Sequence, residues 1–392
     1  MKSGGSKNLA IRSLCLLAAA IALLTQSPSA QAQTLTVLHS FTGTANDGNY
    51  PQTAPIRDLK GNLYGIALGG IFGRGMIFKV SGTGHETVLY SFKGYPDGDT
   101  PDSISFRDSA GNLFGTTYQG GANNFGTVFK LDTHGSETIV YSFCPNGPCA
   151  MGAYPGGLIR DNNLYGITFA GGDFSCEMTG CGTVFRINRK GVQIVLHAFG
   201  SFGDGKTPNA GLVRDESGNL HGTTVFGGAY GYGTVFKLAA TGHESVKYSF
   251  NGAANGSEPY GGLYRDAEGN LYGTTSQGGV YNYGTVFKVT TLGKHAVLHS
   301  FRGGVYGAYP YAGVIKDEQG NIFGTTYQGG SYDYGTVFKI DVSGNLTVLH
   351  SFSGEKDGAY PFALINDANG TLYATTYQGG AYNYGTVFEL VP

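Results

Sequence analysis

The amino-acid sequence predicts an all-β fold, a seven-bladed β-propeller of four-stranded blades, with the ring closed by the N-terminal strand pairing into the C-terminal blade. Three observations carry that prediction. The first is composition: of 392 residues 67 are Gly, 27 Tyr and 24 Phe, none is Trp, and only 13% are charged. Each interior Gly costs a helix about 1 kcal/mol relative to Ala, so a mainly helical fold is excluded. An apolar content of 41% argues against disorder, and Gly does not fall at every third position as a collagen requires. The second is a repeat: the tetrapeptide Gly-Thr-Val-Phe or a variant begins at Gly75, Gly126, Gly182, Gly233, Gly284, Gly335 and Gly385, at intervals of 51, 56, 51, 51, 51 and 50 residues. The third is phase. A lone copy of the fourth strand, Thr34 to Phe41, precedes the first unit, and the last unit stops after a third strand at Leu390. Ring closure requires that mismatch and removes the exposed sheet edges, whereas an open solenoid is expected to carry capping units.

The elements follow in chain order. Lys2, Lys7 and Arg12 precede an apolar run from Leu14 to Leu24 and the triplet Ala30-Gln31-Ala32, the order of a secretory signal peptide with cleavage expected after Ala32. The run is too short for a membrane span, which needs roughly 20 residues. Residues 1–32 are therefore read as a signal peptide and 33–392 as one propeller domain, exported to the periplasm or beyond and expected to be monomeric. The leader carries three positive charges, so its removal takes the net charge from −2 to −5. With no basic patch remaining, nucleic-acid binding lacks its electrostatic footprint.

Within a unit, such as the one following Pro310, four runs read as strands: Tyr311 to Lys316, Asn321 to Thr326, Thr336 to Ile340 and Leu346 to Phe352. The first pair is joined by a tight hairpin whose Asp recurs in all seven units, at Asp58, Asp108, Asp161, Asp215, Asp266, Asp317 and Asp367. An Asp beside a hairpin Gly is read as a turn cap rather than an acid or a calcium ligand. Strands packed on both faces are expected to be nearly continuously apolar, as Thr-Val-Phe-Lys-Leu is.

The ordered unit Gly-Asn-Leu-Tyr-Gly-Thr-Thr, Gly-Gly, Tyr-Gly-Thr-Val-Phe-Lys-Leu, Val-Leu-His-Ser-Phe resembles the GloVer, or Gloeobacter/Verrucomicrobia, repeat over essentially all of residues 34–392. The resemblance implies an exported bacterial protein of the group described as choice-of-anchor proteins. It carries no established activity or catalytic residues, and no anchor is read after Leu390.

Four cysteines outside the leader, Cys144, Cys149, Cys176 and Cys181, form two pairs of spacing five. In an exported chain these read as two local disulfides, with pairing between the two loops as the alternative. Tight Cys-x-x-Cys zinc knuckles are absent.

Function is sought on one face of the ring, where the fourth-to-first and second-to-third loops open together. The latter carry Tyr118, Gln119 and Asn123; Tyr230; Tyr281 and Asn282; Tyr332 and Asp333; Tyr382 and Asn383. Flat rings with polar tips among amides suit sugar rings or peptide segments. Each fourth-to-first loop contains a Pro, and the residue after it is expected at the mouth of the central channel: Gln52, Asp102, Gly156, Asn209, Tyr260, Tyr311 and Phe362. His39, His197, His299 and His350 stand where other units have Tyr and are read as packing residues; His85, His134, His243 and His295 are placed in third-to-fourth loops. No nucleophile elbow, phosphate loop, metal motif or dinucleotide fingerprint occurs, so no catalytic residue, metal site or cofactor is predicted. The favoured reading is a binding or scaffolding module for a polysaccharide or protein ligand. The alternatives are a lyase or glycosidase using Asp102 with Asp47 or Asp97, and a purely structural envelope protein.

Overall fold

The computed structural model describes residues 33–144, 149–173, 176 and 180–392; the leader lies outside them. Seven small antiparallel sheets form the blades of a seven-bladed propeller. The sixth blade shows the plan, with Ile315–Lys316 innermost, then Ile322–Thr326, Thr336–Ile340 and the outermost Leu346–Ser351. The seventh takes its outer strand from the front of the chain: Thr34–Ser40 pairs with Thr386–Val391, Thr34 opposite Val391 and Ser40 opposite Thr386. Ring closure therefore occurs as the phase of the repeat requires. No described residue is in an α-helix, and two short 3₁₀ turns, Ala253–Asn255 and Gly304–Tyr306, lie in loops.

Each motif of the repeat has a packing reason. The Phe of every third strand is fully buried and meets, edge to face, the Phe that ends the preceding blade's outer strand. Seven such pairs, from Phe41 with Phe78 round to Phe352 with Phe388, have centroids 5.1–5.3 Å apart. The Gly after Asn-Leu-Tyr lies under that ring: a Cβ on Gly273 would come within 2.7 Å of Phe287. The Gly that opens Gly-Thr-Val-Phe, with φ of 90–97°, abuts the Pro of the next blade. A Cβ there would lie within 2.7 Å of the Pro ring in all seven seams, Gly385 against Pro51 included. In six blades a buried Thr pair, such as Thr326 with Thr336 at 2.8 Å, ties second strand to third.

Two expectations change. The outer strands are half-buried rather than continuously apolar, because their outward side has no neighbouring strand. The innermost ladder is shorter than Tyr311 to Lys316, since only Ile315–Lys316 pairs. Nearer the axis neighbouring blades meet backbone to backbone, as Gly261 does with Ala312. The bonds there run between blades, from the Thr274 hydroxyl to the Ala312 carbonyl at 2.7 Å and from Thr325 to Phe362 at 3.0 Å.

The hairpin Asp residues are turn caps. Asp317 accepts from the backbone N–H of Asn321 at 2.7 Å and from its side-chain amide at 2.8 Å. Asp58 accepts the same pair from Asn62 and a third bond from the Tyr64 hydroxyl. The cysteines pair locally, Cys144 with Cys149 and Cys176 with Cys181.

Candidate ligand-binding face

The fourth-to-first and second-to-third loops are knitted together by a joint that repeats seven times. The residue before each Pro, namely Tyr50, Thr100, Tyr154, Thr207, Glu258, Tyr309 and Tyr360, has a left-handed backbone with φ of 48–59°. Its N–H donates at 2.8–3.1 Å to the carbonyl of the residue just before the Gly-Thr-Val-Phe glycine of the preceding blade, for example Tyr309 to Tyr283 and Tyr360 to Tyr334. Residues before Pro ordinarily sit in extended conformations, so the sequence gives no local sign of this conformation. Left-handed non-glycine backbone persists only where its surroundings over-determine it.

That joint presents aromatic rings that sequence reasoning did not single out. Tyr154 stacks on Tyr118 at 4.6 Å, Tyr360 on Tyr327 at 4.7 Å, and Tyr50 lies against Tyr377 at 5.1 Å. Tyr327 continues inward to Tyr311 at 5.5 Å, and Tyr311 to Tyr260 at 5.4 Å, so an aromatic belt runs from the seventh blade's rim to the channel. The only signal available in sequence was the Tyr or Phe recurring before Gln-Gly-Gly or Ala-Gly-Gly.

The predicted residues separate into groups. Tyr230, Tyr281, Tyr332 and Tyr382 stand out into solvent, 48–62% exposed, and Arg302 lies over the Tyr281 ring at 5.6 Å. Their partners have work inside the loop. Asn282, Asp333 and Asn383 adopt φ of 60–65°, and each accepts a bond from the Gly N–H four residues earlier at 2.8–3.1 Å. Asn124 does the same for Gly120, while the Asn123 amide donates to the Cys144 carbonyl. Gln119 lies in the second blade's inner ladder opposite Asp99.

At the axis, Gln52, Asp102, Asn209, Tyr260, Tyr311 and Phe362 line a cavity of about 480 Å³, joined by Phe169 and Tyr327; in the third blade Gly157 rather than Gly156 faces it. The Asn209 amide donates to the Tyr260 carbonyl at 3.2 Å. Burial pushes the Asp102 carboxyl up to about 7, partly offset by its bond to the Thr116 hydroxyl.

The other acids of the two-carboxylate reading are elsewhere. Asp47 accepts from Thr42 N–H and pairs with His39 at 2.6 Å. Asp97 accepts from Lys93 N–H, Gly98 N–H and the Tyr90 hydroxyl. Both brace their own loops between outer strands, so among the described residues the lining of the channel cavity holds no second carboxylate to work across a glycosidic bond with Asp102. The brace accounts for both His and Tyr at this strand position in four of the seven units. His39, His197 and His350 reach Asp47, Asp204 and Asp357 as Tyr90 reaches Asp97. His295 is not in a loop: it begins the strand His295–Ser300 and stacks on Tyr248 at 4.0 Å.

Among the described residues one group brings three possible metal-ligating atoms within 4.8 Å of one another, His197, Asp204 and Glu244. The Glu244 Oε1 is buried without a partner, as are those of Glu86 and Glu137 at the corresponding places. The His–Asp brace recurs without the Glu at His350 and Asp357, so it arises with the loop and needs no ion.

The Gloeobacter/Verrucomicrobia repeat family matches residues 25–179 and 161–388. The chain belongs to that family. No curated protein matches it. Among solved structures, the extracellular domain of a one-component system from B. thetaiotaomicron is similar over 91% of this chain and 40% of that one, at 7% identity and a TM-score of 0.56. PorZ, a surface component of the type-IX secretion system of Porphyromonas gingivalis, is similar over 88% of this chain and 47% of its own, at 14% identity and a TM-score of 0.52. The chain thus spans less than half the length of either. A gluconolactonase from Xanthomonas campestris is similar over 88% and 98%, at 13% identity and a TM-score of 0.45. The first two likenesses speak to the propeller fold alone. The two disulfides fit an exported protein, and no helix among the described residues is long and apolar enough to cross a membrane.

Proposed function

We propose that the protein, after loss of residues 1–32, is an exported carbohydrate-binding module whose single propeller domain holds its ligand on the loop face around the channel. One observation carries the reading. Four Tyr at one loop position stand 48–62% exposed, while in three of those loops the next residue already closes the loop. Apart from the Arg302 that lies over Tyr281, no cation or ring among the described residues is shown against those outward rings, and a Tyr ring offers the apolar face and polar tip that a sugar ring stacks and bonds against. The aromatic belt leading inward from Tyr360 to Tyr260 supports the same reading by extending the platform toward the axis.

A glycan array probed with the purified protein and with the double variant Tyr332→Ala, Tyr382→Ala tests it. The expected result is retention of a defined set of glycans that the double variant loses. An array on which the wild-type protein retains nothing overturns it.

A further inference from the structure

We propose that the mouth of the central channel binds the ammonium group of an amino sugar, held between the Asp102 carboxylate and the facing rings of Tyr260 and Tyr311. The proposal rests on the carbohydrate reading above and names the class of sugar.

Charge is the first reason. Among the described residues, the side chains lining the cavity include one formal charge, Asp102, and no Lys, Arg or His. Three acids on the inner side of the ring have cations beside them: Asp99 has Arg74 at 2.8 Å, Asp266 has Lys316 at 3.7 Å and Asp367 has Arg57 at 3.5 Å. Asp102 has the Thr116 hydroxyl, while a carboxylate offers about four acceptor positions. Acceptor capacity therefore faces the cavity with no cation from the protein to meet it.

Ring order is the second reason. Seven blades follow one another round the axis, so the second blade, which carries Asp102, lies across the channel from the fifth and sixth, which carry Tyr260 and Tyr311. Those rings meet at 64°, an arrangement that leaves aromatic face available to a cation. Glu258, the left-handed residue before Pro259, raises the pKa of both phenols through its charge, after burial, so this wall is negative as well as aromatic.

The two requirements select a ligand. A uronic acid is repelled by Asp102. A neutral hexose can stack on the rings but brings no cation to the carboxylate, whereas an ammonium beside it favours the charged form. A hexosamine places an ammonium directly on a ring that can stack, and a cavity of about 480 Å³ lies in the range of small-molecule sites. A lysine side chain satisfies the acid, but its thin chain leaves the aromatic arc of Tyr260, Tyr311, Tyr327 and Phe362 uncovered.

The test is calorimetric titration of the wild-type protein, Asp102→Asn and Tyr311→Ala with three probes: hexaglucosamine, hexa-N-acetylglucosamine and hexalysine, with thermal melts to establish that each variant is folded. We expect hexaglucosamine to bind at least about tenfold tighter than its acetylated counterpart, as loss of a charged partner predicts. Asp102→Asn should abolish that preference while retaining the weaker binding, and Tyr311→Ala should weaken both sugars. Equal binding of the two sugars, a preference that survives Asp102→Asn, tighter binding of hexalysine, or no binding of hexaglucosamine overturns the proposal. Equal binding that Tyr332→Ala removes overturns the ammonium site and leaves the carbohydrate reading standing; a blank glycan array overturns both.

Discussion

The loops at the two ends of each second strand solve one problem and leave different residues over. At the inner hairpin, Asp317 closes the turn onto Asn321, and its counterparts do the same around the ring. At the second-to-third loop, Asp333 closes the turn onto Gly329, with Asn282 and Asn383 in the same role. An acid or amide side chain is consumed in both places. Only the second kind of loop then holds out a large ring, Tyr332 or its equivalents, that closes nothing. Recurrence alone is a poor guide to function in a repeat protein, because a residue that recurs to close a turn and one that recurs to meet a ligand look the same in sequence.

Substitutions that break or sharpen the contrast can be ranked by their effect on stability. Phe287→Ala removes a fully buried ring from the seam between the fourth and fifth blades and should cost about 3–5 kcal/mol. Both classes of loop should fail together in chemical denaturation, since the ring beneath them gives way. Asp317→Ala should cost about 1–3 kcal/mol, from two charge-assisted bonds lost at a partly exposed turn. Glycan binding in that variant should stay at the wild-type level; a loss would mean that the hairpins are more than turns. Tyr332→Ala should move the unfolding midpoint least, by about 0.5 kcal/mol or less; a larger loss would show the ring to be part of the scaffold.

The seams between outer strands add a dependence on acidity. Burial, then the nearby Asp47, Asp97 and Asp204 charges, raise Glu86, Glu137 and Glu244 to about 7. Each native carboxyl therefore holds its proton over a range in which the unfolded chain, near 4.5, has released it. The stability these three carboxyls contribute is fully present below about 4.5 and is lost as the pH climbs to about 7. Unfolding midpoints measured from pH 4.5 to 7.5 should show that decline, shallower in Glu86→Gln and Glu244→Gln; a flat profile in the wild-type protein would refute it.

Much of this was legible in the sequence. Spacing exposed the blades, the phase of Thr34 to Phe41 foretold the pairing with Thr386–Val391, and all but one of the residues expected at the channel from the Pro positions do line it. What stayed hidden depends on contacts between blades or on rare backbone. Nothing local marks Tyr360 as left-handed, nor places Tyr154 on Tyr118. Asp333 was legible as a polar loop residue, but its bond to Gly329 depends on a left-handed turn that only the assembled loop reveals. The burial of Asp102 likewise needs seven inner strands brought round one axis.

The joint before each Pro has a consequence for assembly tolerance. A ring of seven closes only if seven successive rotations add up to one full turn, and a systematic error at one seam is multiplied by every other seam. The φ angles of Tyr50, Thr100, Tyr154, Thr207, Glu258, Tyr309 and Tyr360 fall between 48° and 59°, although Tyr, Thr and Glu differ in size, branching and charge. Held between a rigid Pro ring and a glycine that lacks a Cβ, that backbone works as an angular gauge, setting the same increment whatever residue the loop displays, so that the binding surface can vary without altering the number of blades.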